Sequence, residues 1–205
     1  MVEIYRTDQQ VLNTLTDIQD GCWINMVDPT SKELEQIAER FEIEPEDISS
    51  ALDEEESSRI SLEDGYTVIL VDIPTPEVRH EKKMYTTIPL GIILKSEAII
   101  TVCKVDTPII NYFVRNKVKE FSTKKKMRFI YQMLFRSAFV YQANLRLIDK
   151  KRIEIEERVD GDTSDTDLIE LHELESTLVY FATSLRANSI VLERLLSLIH
   201  ISEPT

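Results

Sequence analysis

The stretch GCWINMVDPTSKELEQ, residues 21–36, decides the fold because an apolar run changes into a charged run within a few positions. CWINMV is apolar and rich in strand-forming side chains, which predicts a short buried strand. Thr30 and Glu33 then have the spacing of a capping box, and Asp28 before Pro29 is the alternative helix cap. The apolar residues that follow fall on one helical face: Leu34, Ile37, Ala38 and Phe41.

The same apolar runs contain the one tryptophan and both cysteines of the chain. Helix capping accounts for the polar residues beside Trp23, so we interpret this tryptophan as a core anchor and not as a platform for a ligand. Cys22 and Cys103 both lie in apolar, strand-like runs far apart in sequence. We therefore predict two buried thiols in a reducing compartment and no disulfide.

Composition limits the classes of function. The chain has 205 residues, 42% of them apolar, with 4 Gly, 7 Pro and a net charge of −13. The low content of glycine and proline favours long helices and strands. The acidic charge disfavours nucleic acid and anionic membranes as partners and attracts cations. We predict no signal peptide, and no apolar run reaches the roughly 20 residues of a membrane-spanning helix.

The first half predicts a mixed sheet covered by helices. Strands are expected at VEIYR, CWINMV, SRISLED, YTVILVDIP, MYTTIPLGIILK and AIITVCK, whereas VLNTLTDI is ambiguous. Short helices are expected at PEDISSAL and at TPIINYFVRNK, the second capped by Thr107 before Pro108. This alternation indicates an α/β (α+β) fold.

The second half predicts a long antiparallel helical hairpin. Apolar residues recur at steps of three and four from about Thr123 to Arg158 and again from about Asp165 to Ile199. Each helix would be about 50 Å long, so the hairpin should project from the α/β part or lie along a partner. We divide the chain into an α/β part at 1–122, the hairpin at 123–198 and a tail at 199–205.

Motifs for catalysis are missing from the sequence, and we expect no enzyme activity. His80, His172 and His200 lie in unrelated contexts, without an HExxH pattern. The four glycines are isolated, and no serine lies in a Gly-x-Ser-x-Gly turn.

Residues 1–198 resemble the N-terminal cytoplasmic domain of the CorA family of divalent-cation channels. The matched positions follow the order of the family's pattern, and the hairpin segment ELHELESTLVYFATSLRANSIVLERL is similar to the family's paired acidic helices. The positions are Trp23, Ile24, Asn25, Pro29, Phe41, Ile43, Pro45 and Arg59.

The resemblance implies a regulatory and assembly domain on the cytoplasmic side of the cell membrane, within a pentamer that binds Mg²⁺ between subunits. Mg²⁺ would be a regulatory ion, and no required cofactor is expected. The family continues into a stalk helix, two membrane spans and a Gly-Met-Asn signature that this sequence lacks. We therefore interpret the chain as a soluble, truncated form in which residues 199–205 need not be native, and membrane attachment would come through the missing region.

An acidic segment between Glu42 and Asp64 holds ten acids and one base, Arg59. Its candidate metal ligands are Asp47, Asp53, Glu54, Glu55 and Glu56, with a solvated acidic surface as the alternative. Ser49 and Ser50 occupy the step where the family places an acid that meets a stalk acid of the next subunit. DGDTSDTD at the hairpin tip lacks the glycine and glutamate positions of an EF-hand loop, so helix capping explains it better.

Two functions from different classes remain. The first is the regulatory and assembly domain of a CorA-type Mg²⁺ transporter. The second is a soluble helical-hairpin interaction module without transport activity. A response of self-association to Mg²⁺ would distinguish them.

Overall fold

A computed structural model describes residues 1–79, 82–159 and 165–202. Within these residues, seven strands form one sheet in the order β2-β1-β3-β7-β6-β5-β4, with β3 and β7 parallel and the other neighbours antiparallel. The strands are β1 (Val2–Asp8), β2 (Val11–Leu15), β3 (Cys22–Val27), β4 (Arg59–Glu63), β5 (Tyr66–Arg79), β6 (Lys82–Leu94) and β7 (Ala98–Cys103).

Helices cover both faces of this sheet. On one face lie α1 (Ser31–Phe41), α2 (Pro45–Ser49) and a 3₁₀ turn at Ser50–Leu52; on the other lie α3 (Pro108–Val114), α4 (Lys126–Val159) and α5 (Asp165–Ser202). The predicted mixed sheet, its helical cover and the long paired helices are confirmed. The segment VLNTLTDI, left ambiguous from sequence, contributes β2 because it pairs with β1.

Side chains of the central strands point alternately into two hydrophobic cores, one on each face of the sheet. From β3, Cys22, Ile24 and Met26 face α1 and α2, whereas Trp23 faces α3 and α4. Trp23 is fully buried, and its ring contacts four others: Tyr5, Phe113, Phe121 and Phe129. Trp23 is therefore the core anchor that we predicted.

Both thiols are buried and free, as predicted. Cys22 belongs to the core under α1, and Cys103 belongs to the core under α3 and α4. Since the two side chains lie on opposite faces of the sheet, they cannot form a disulfide with each other without rebuilding a strand. Burial raises the pKa of both thiols above the ordinary value, which lowers their reactivity.

Helix α1 begins with the capping box that its sequence predicts. The Thr30 hydroxyl accepts from the Glu33 amide at 3.3 Å, and the Glu33 carboxylate accepts from the Thr30 amide at 2.8 Å. Of the two predicted caps, Thr30 is the one used. Asp28 has a φ of 42° instead, so it forms the bend between β3 and the helix.

The hairpin of α4 and α5 is antiparallel, as predicted, and it packs along a long β-ribbon. The ribbon is formed by β5 and β6, which pair from Thr67↔Leu94 to Arg79↔Lys82. Tyr141, Tyr85 and Phe181 stack where the ribbon meets both helices. The predicted turn between the helices falls on residues 160–164, outside the described part of the chain.

The helix boundaries differ slightly from those predicted. Helix α4 begins at Lys126, three residues after Thr123, and α5 continues to Ser202, past the predicted end at about Ile199. The first turns of α4 and the last turns of α5 share the core of the sheet through Phe129, Met133 and Val191. In the described residues, no helix has both the length and the apolar character needed to cross a bilayer.

An amide side chain ties α5 to the middle of the ribbon. Asn188 Oδ1 accepts from the Asp72 amide at 2.9 Å, and Asn188 Nδ2 donates to the Asp72 carbonyl at 2.8 Å. Strand β4 pairs with β5 only as far as Leu70, so Asp72 lies beyond the partner strand. The Asn188 amide therefore replaces the peptide group of a missing strand residue.

Candidate functional site

The predicted metal-binding acids lie in and around a turn that follows the 3₁₀ turn. Its position is set by Gly91 of β6, where an added Cβ would lie 2.6 Å from the Ala51 Cβ. Because Gly91 has no side chain, Ala51 packs directly on the strand. The turn closes with the Glu56 amide donating to the Asp53 carbonyl at 3.2 Å. Asp53, Glu54, Glu55 and Glu56 are thus brought together at the surface.

The Asp47 carboxylate does not belong to this group of acids, because it is hydrogen-bonded to Tyr66 instead. Tyr66 Oη donates to Asp47 Oδ2 at 2.7 Å and accepts from the Glu44 amide at 3.3 Å. Burial, followed by the bond to Asp47, raises the pKa of Tyr66 to about 12. The Asp47 carboxylate therefore has a structural role here, holding α2 against the start of β5.

Most acids of the turn already have a partner within the chain. Glu54 pairs with Lys104 at 2.7 Å, which raises the pKa of that lysine, and Glu56 pairs with Arg59. Asp53 Oδ1 accepts from the Glu55 amide at 3.0 Å. Within the described residues, no group of three or more His, Cys, Asp or Glu side chains is arranged to hold a metal ion. A site shared between subunits would need ligands from a second copy, so the metal assignment stays a prediction.

A wider acidic surface extends from this turn across α1 and α2. Its members are exposed and make no ion pair within the part of the chain that the structure describes. We call it the acidic surface, and its residues are Glu35, Glu39, Glu42, Glu44 and Glu46. The same layer carries only two exposed bases, Lys32 and Arg40 on α1, so the five carboxylates leave a net negative charge that attracts cationic groups.

A basic surface lies on the opposite side of the sheet, and our sequence predictions missed it. Residues 115–136 hold eight Lys or Arg and one Glu, in a chain whose net charge is −13. Five of these bases are exposed and make no ion pair in the described residues. We call them the basic surface: Arg115, Lys117, Lys119, Lys124 and Lys125. A local count of charge, in place of the total, would have revealed it.

Near the tip, the two long helices are joined by ion pairs. Arg158 contacts Asp167 at 3.2 Å and Glu170 at 2.8 Å, and both carboxylates are nearly buried. These contacts hold the far end of the hairpin together. Most of the DGDTSDTD segment, for which we preferred helix capping to a calcium loop, lies outside the described part, as do His80 and the side chain of His200. His172 is exposed beside Glu175, as expected for a surface residue.

Comparison with known proteins gives consistent matches. A family described as CorA-like Mg²⁺ transporter protein matches residues 19–204. The cobalt/magnesium transport protein CorA of Methanocaldococcus jannaschii is 25% identical over 174 residues, which cover 83% of this chain and 53% of that protein. This chain therefore spans about half the length of that relative.

Two solved structures have the same fold. The complete structure of the CorA magnesium transporter from M. jannaschii superposes with a TM-score of 0.81 at 23% identity, covering 95% of this chain and 62% of the other. The structure of the soluble domain of CorA from M. jannaschii also gives 0.81 at 23% identity, covering 94% and 77%.

Proposed function

This chain belongs to the CorA family of Mg²⁺ transporter proteins, and on that premise we propose that it is the cytosolic regulatory and assembly domain of a divalent metal ion transporter. The match over residues 19–204 is the observation that carries the proposal. The superposition on a CorA soluble domain supports the same assignment of fold. Transport itself would require a membrane part fused to this domain.

The regulatory step that we propose is electrostatic. Copies of a chain with a net charge of −13 repel one another, and the repulsion is strongest where carboxylates from two copies approach. Mg²⁺ between such carboxylates reverses the sign of that interaction, using one or two carboxylates and several waters. The turn from Asp53 to Glu56 is the candidate contribution of this chain. A rise in Mg²⁺ would then favour association, and its loss would favour separation.

The alternative is a helical-hairpin interaction module with no part in transport. The exposed rings of Phe135 and Phe139 on α4 favour a partner for the hairpin, since large exposed aromatics are uncommon on isolated surfaces. This alternative and the transporter domain differ in their response to metal. A module that recognises only a protein surface needs no Mg²⁺.

The direct test measures association and amide hydrogen exchange while MgCl₂ is added at constant ionic strength. We expect millimolar Mg²⁺ to promote oligomers and to slow exchange between Asp47 and Glu56. A variant with Asp53→Asn, Glu54→Gln, Glu55→Gln and Glu56→Gln should lose both responses.

The matched control neutralises four exposed acids elsewhere on α4: Asp149→Asn, Glu154→Gln, Glu156→Gln and Glu157→Gln. It changes the net charge equally, so it should keep the Mg²⁺ response. If the control loses the response as fully as the first variant, general charge screening explains the effect and a local site is rejected.

The transport part of the proposal is tested by the source gene. We expect the reading frame, followed past codon 205 in genomic DNA, to encode a long helix and two apolar spans. A stop codon at that point would reject the transporter assignment for this protein and favour the interaction module.

A further inference from the structure

A cavity of about 550 Å³ is bordered by α3, the loop that follows it and α4. Part of its wall is apolar: Phe135 and Phe139 are 68% and 48% exposed, and their rings meet edge-on at 5.0 Å. The rest of the wall includes three cationic side chains, those of Lys117, Lys119 and Arg136. The volume is that of a site for a small organic molecule, and the lining suits an apolar body that carries negative charge.

Arg136 is positioned for an anion that its own chain does not supply. Its guanidinium lies 3.6 Å above the ring of Tyr112 on α3, and this stacking holds the group in place. In the part of the chain that the structure describes, Arg136 makes no ion pair, and its Nε is buried without a hydrogen-bond partner. A guanidinium binds a carboxylate or a phosphate through two parallel hydrogen bonds. This stacked arginine is therefore available to an anion from outside.

The two lysines of the cavity are held near Arg136 by main-chain hydrogen bonds. The Lys117 amide donates to the Tyr112 carbonyl at 3.1 Å, and Gln132 Nε2 donates to the Lys119 carbonyl at 3.2 Å. Gln132 Oε1 is left buried in the cavity wall, without a hydrogen-bond partner among the described residues. The wall therefore combines three cationic donors with one acceptor that lacks a donor.

We propose that this cavity binds a nucleoside phosphate, which is a planar aromatic body joined to an anion. The phosphate accepts hydrogen bonds from Arg136 and the two lysines, and the base packs against the exposed rings of Phe135 and Phe139. An amino or hydroxyl group of the ligand donates to Gln132 Oε1. An inorganic anion would leave the aromatic wall unused, and a fatty acid would bring no donor for the glutamine.

The site lies on the opposite face of the sheet from the acidic turn at Asp53–Glu56, so it goes beyond the proposed function and does not rest on it. Calorimetric titration of the full chain with ATP and AMP, in EDTA and without Mg²⁺, tests it directly. We expect saturable binding at one site per chain, tighter for ATP because it offers more phosphate oxygens. Adenosine and inorganic phosphate should each bind at least about tenfold more weakly than ATP, because each has only half of the required contacts.

Variants of the cavity wall separate its two parts. Arg136→Gln should weaken ATP binding by about tenfold or more, and Arg136→Lys should recover only part of that loss, since an ammonium keeps the charge without the planar, bidentate geometry. Phe139→Ala should weaken the binding of ATP and leave that of inorganic phosphate unchanged. The matched control is Arg146→Gln, which removes an exposed charge elsewhere on α4 and should bind like wild type. All variants are checked for native far-UV circular dichroism.

Three results would overturn the proposal. They are the absence of saturable binding for both nucleotides, binding that Arg136→Gln leaves unchanged, and inorganic phosphate that binds as tightly as ATP, which would reduce the cavity to a general anion site. The variant with all four acids of the turn neutralised should still bind ATP like wild type. A failed Mg²⁺ response therefore leaves the nucleotide site standing, and failed nucleotide binding leaves the metal sensor standing.

Discussion

Replacement of Thr101 by valine tests how the central polar network stabilises the sheet. The Thr101 hydroxyl accepts from Trp23 Nε1 at 2.8 Å and donates to Asn25 Oδ1 at 3.0 Å, and Thr101 is fully buried. Valine has nearly the same shape, so packing is kept while two buried polar atoms lose their partner. At about 1–3 kcal/mol for each of the two unsatisfied groups, we expect a loss of about 2–6 kcal/mol in the free energy of unfolding.

The matched comparison is Thr101→Ser, which keeps the hydroxyl and removes a methyl group. It should cost only about 1 kcal/mol, since one buried methyl is lost. Urea unfolding followed by Trp23 fluorescence and by far-UV circular dichroism measures both variants. An unchanged denaturant slope confirms that the native state is still compact.

A second-site change makes the test stricter. Trp23→Phe removes the N–H donor, so in that background Thr101→Val leaves one unsatisfied atom fewer and should cost less than in wild type. The reasoning is refuted if valine costs no more than serine at position 101, or if the effects of Trp23→Phe and Thr101→Val simply add.

Three further changes have defined outcomes. Asn188→Leu leaves the Asp72 amide without its partner, while Tyr141 still donates to the Asp72 carbonyl at 3.1 Å. It should lower the free energy of unfolding by about 1–3 kcal/mol, whereas the exposed Ser189→Ala should change it little. Gly91→Ala should cost about 1–3 kcal/mol through overpacking against Ala51, and Ala51→Gly should restore part of that loss; no rescue would contradict the close contact. The pKa of Tyr66 is raised to about 12, so its contribution to stability is complete below the ordinary tyrosine pKa of about 10 and is lost between there and pH 12. Alkaline unfolding of Tyr66→Phe should show a smaller loss across this window, and an equal loss would assign the effect to other tyrosines.

Local patterns made the helices and most strands predictable. The capping box at Thr30 involves neighbours three residues apart, and the apolar period of α4 is visible along the helix itself. Strand β2 was ambiguous because its own apolar pattern is weak, and it becomes a strand by pairing with β1. Asn188 contacts Asp72 across 116 residues, and no local rule identifies such a pair.

The candidate site was predictable only in part. The grouping of Asp53 to Glu56 follows from their adjacency in sequence. Their ion pairs with Lys104 and Arg59 depend on the tertiary fold, which places those bases beside the turn. The hydrogen bond between Asp47 and Tyr66 likewise depends on where β5 begins.

The parallel pairing of β3 with β7 has a consequence for the order of folding. Cys22 faces Ala98 in this pair, so the connection must close a loop of many tens of residues. Strands β4 to β7 instead form a series of antiparallel neighbours joined by short links, which close rapidly. We expect this meander to nucleate first and the amino-terminal strands to dock onto β7 afterwards. During synthesis, β1 to β3 would leave the ribosome early and remain unpaired with the rest of the sheet until residue 103 had followed.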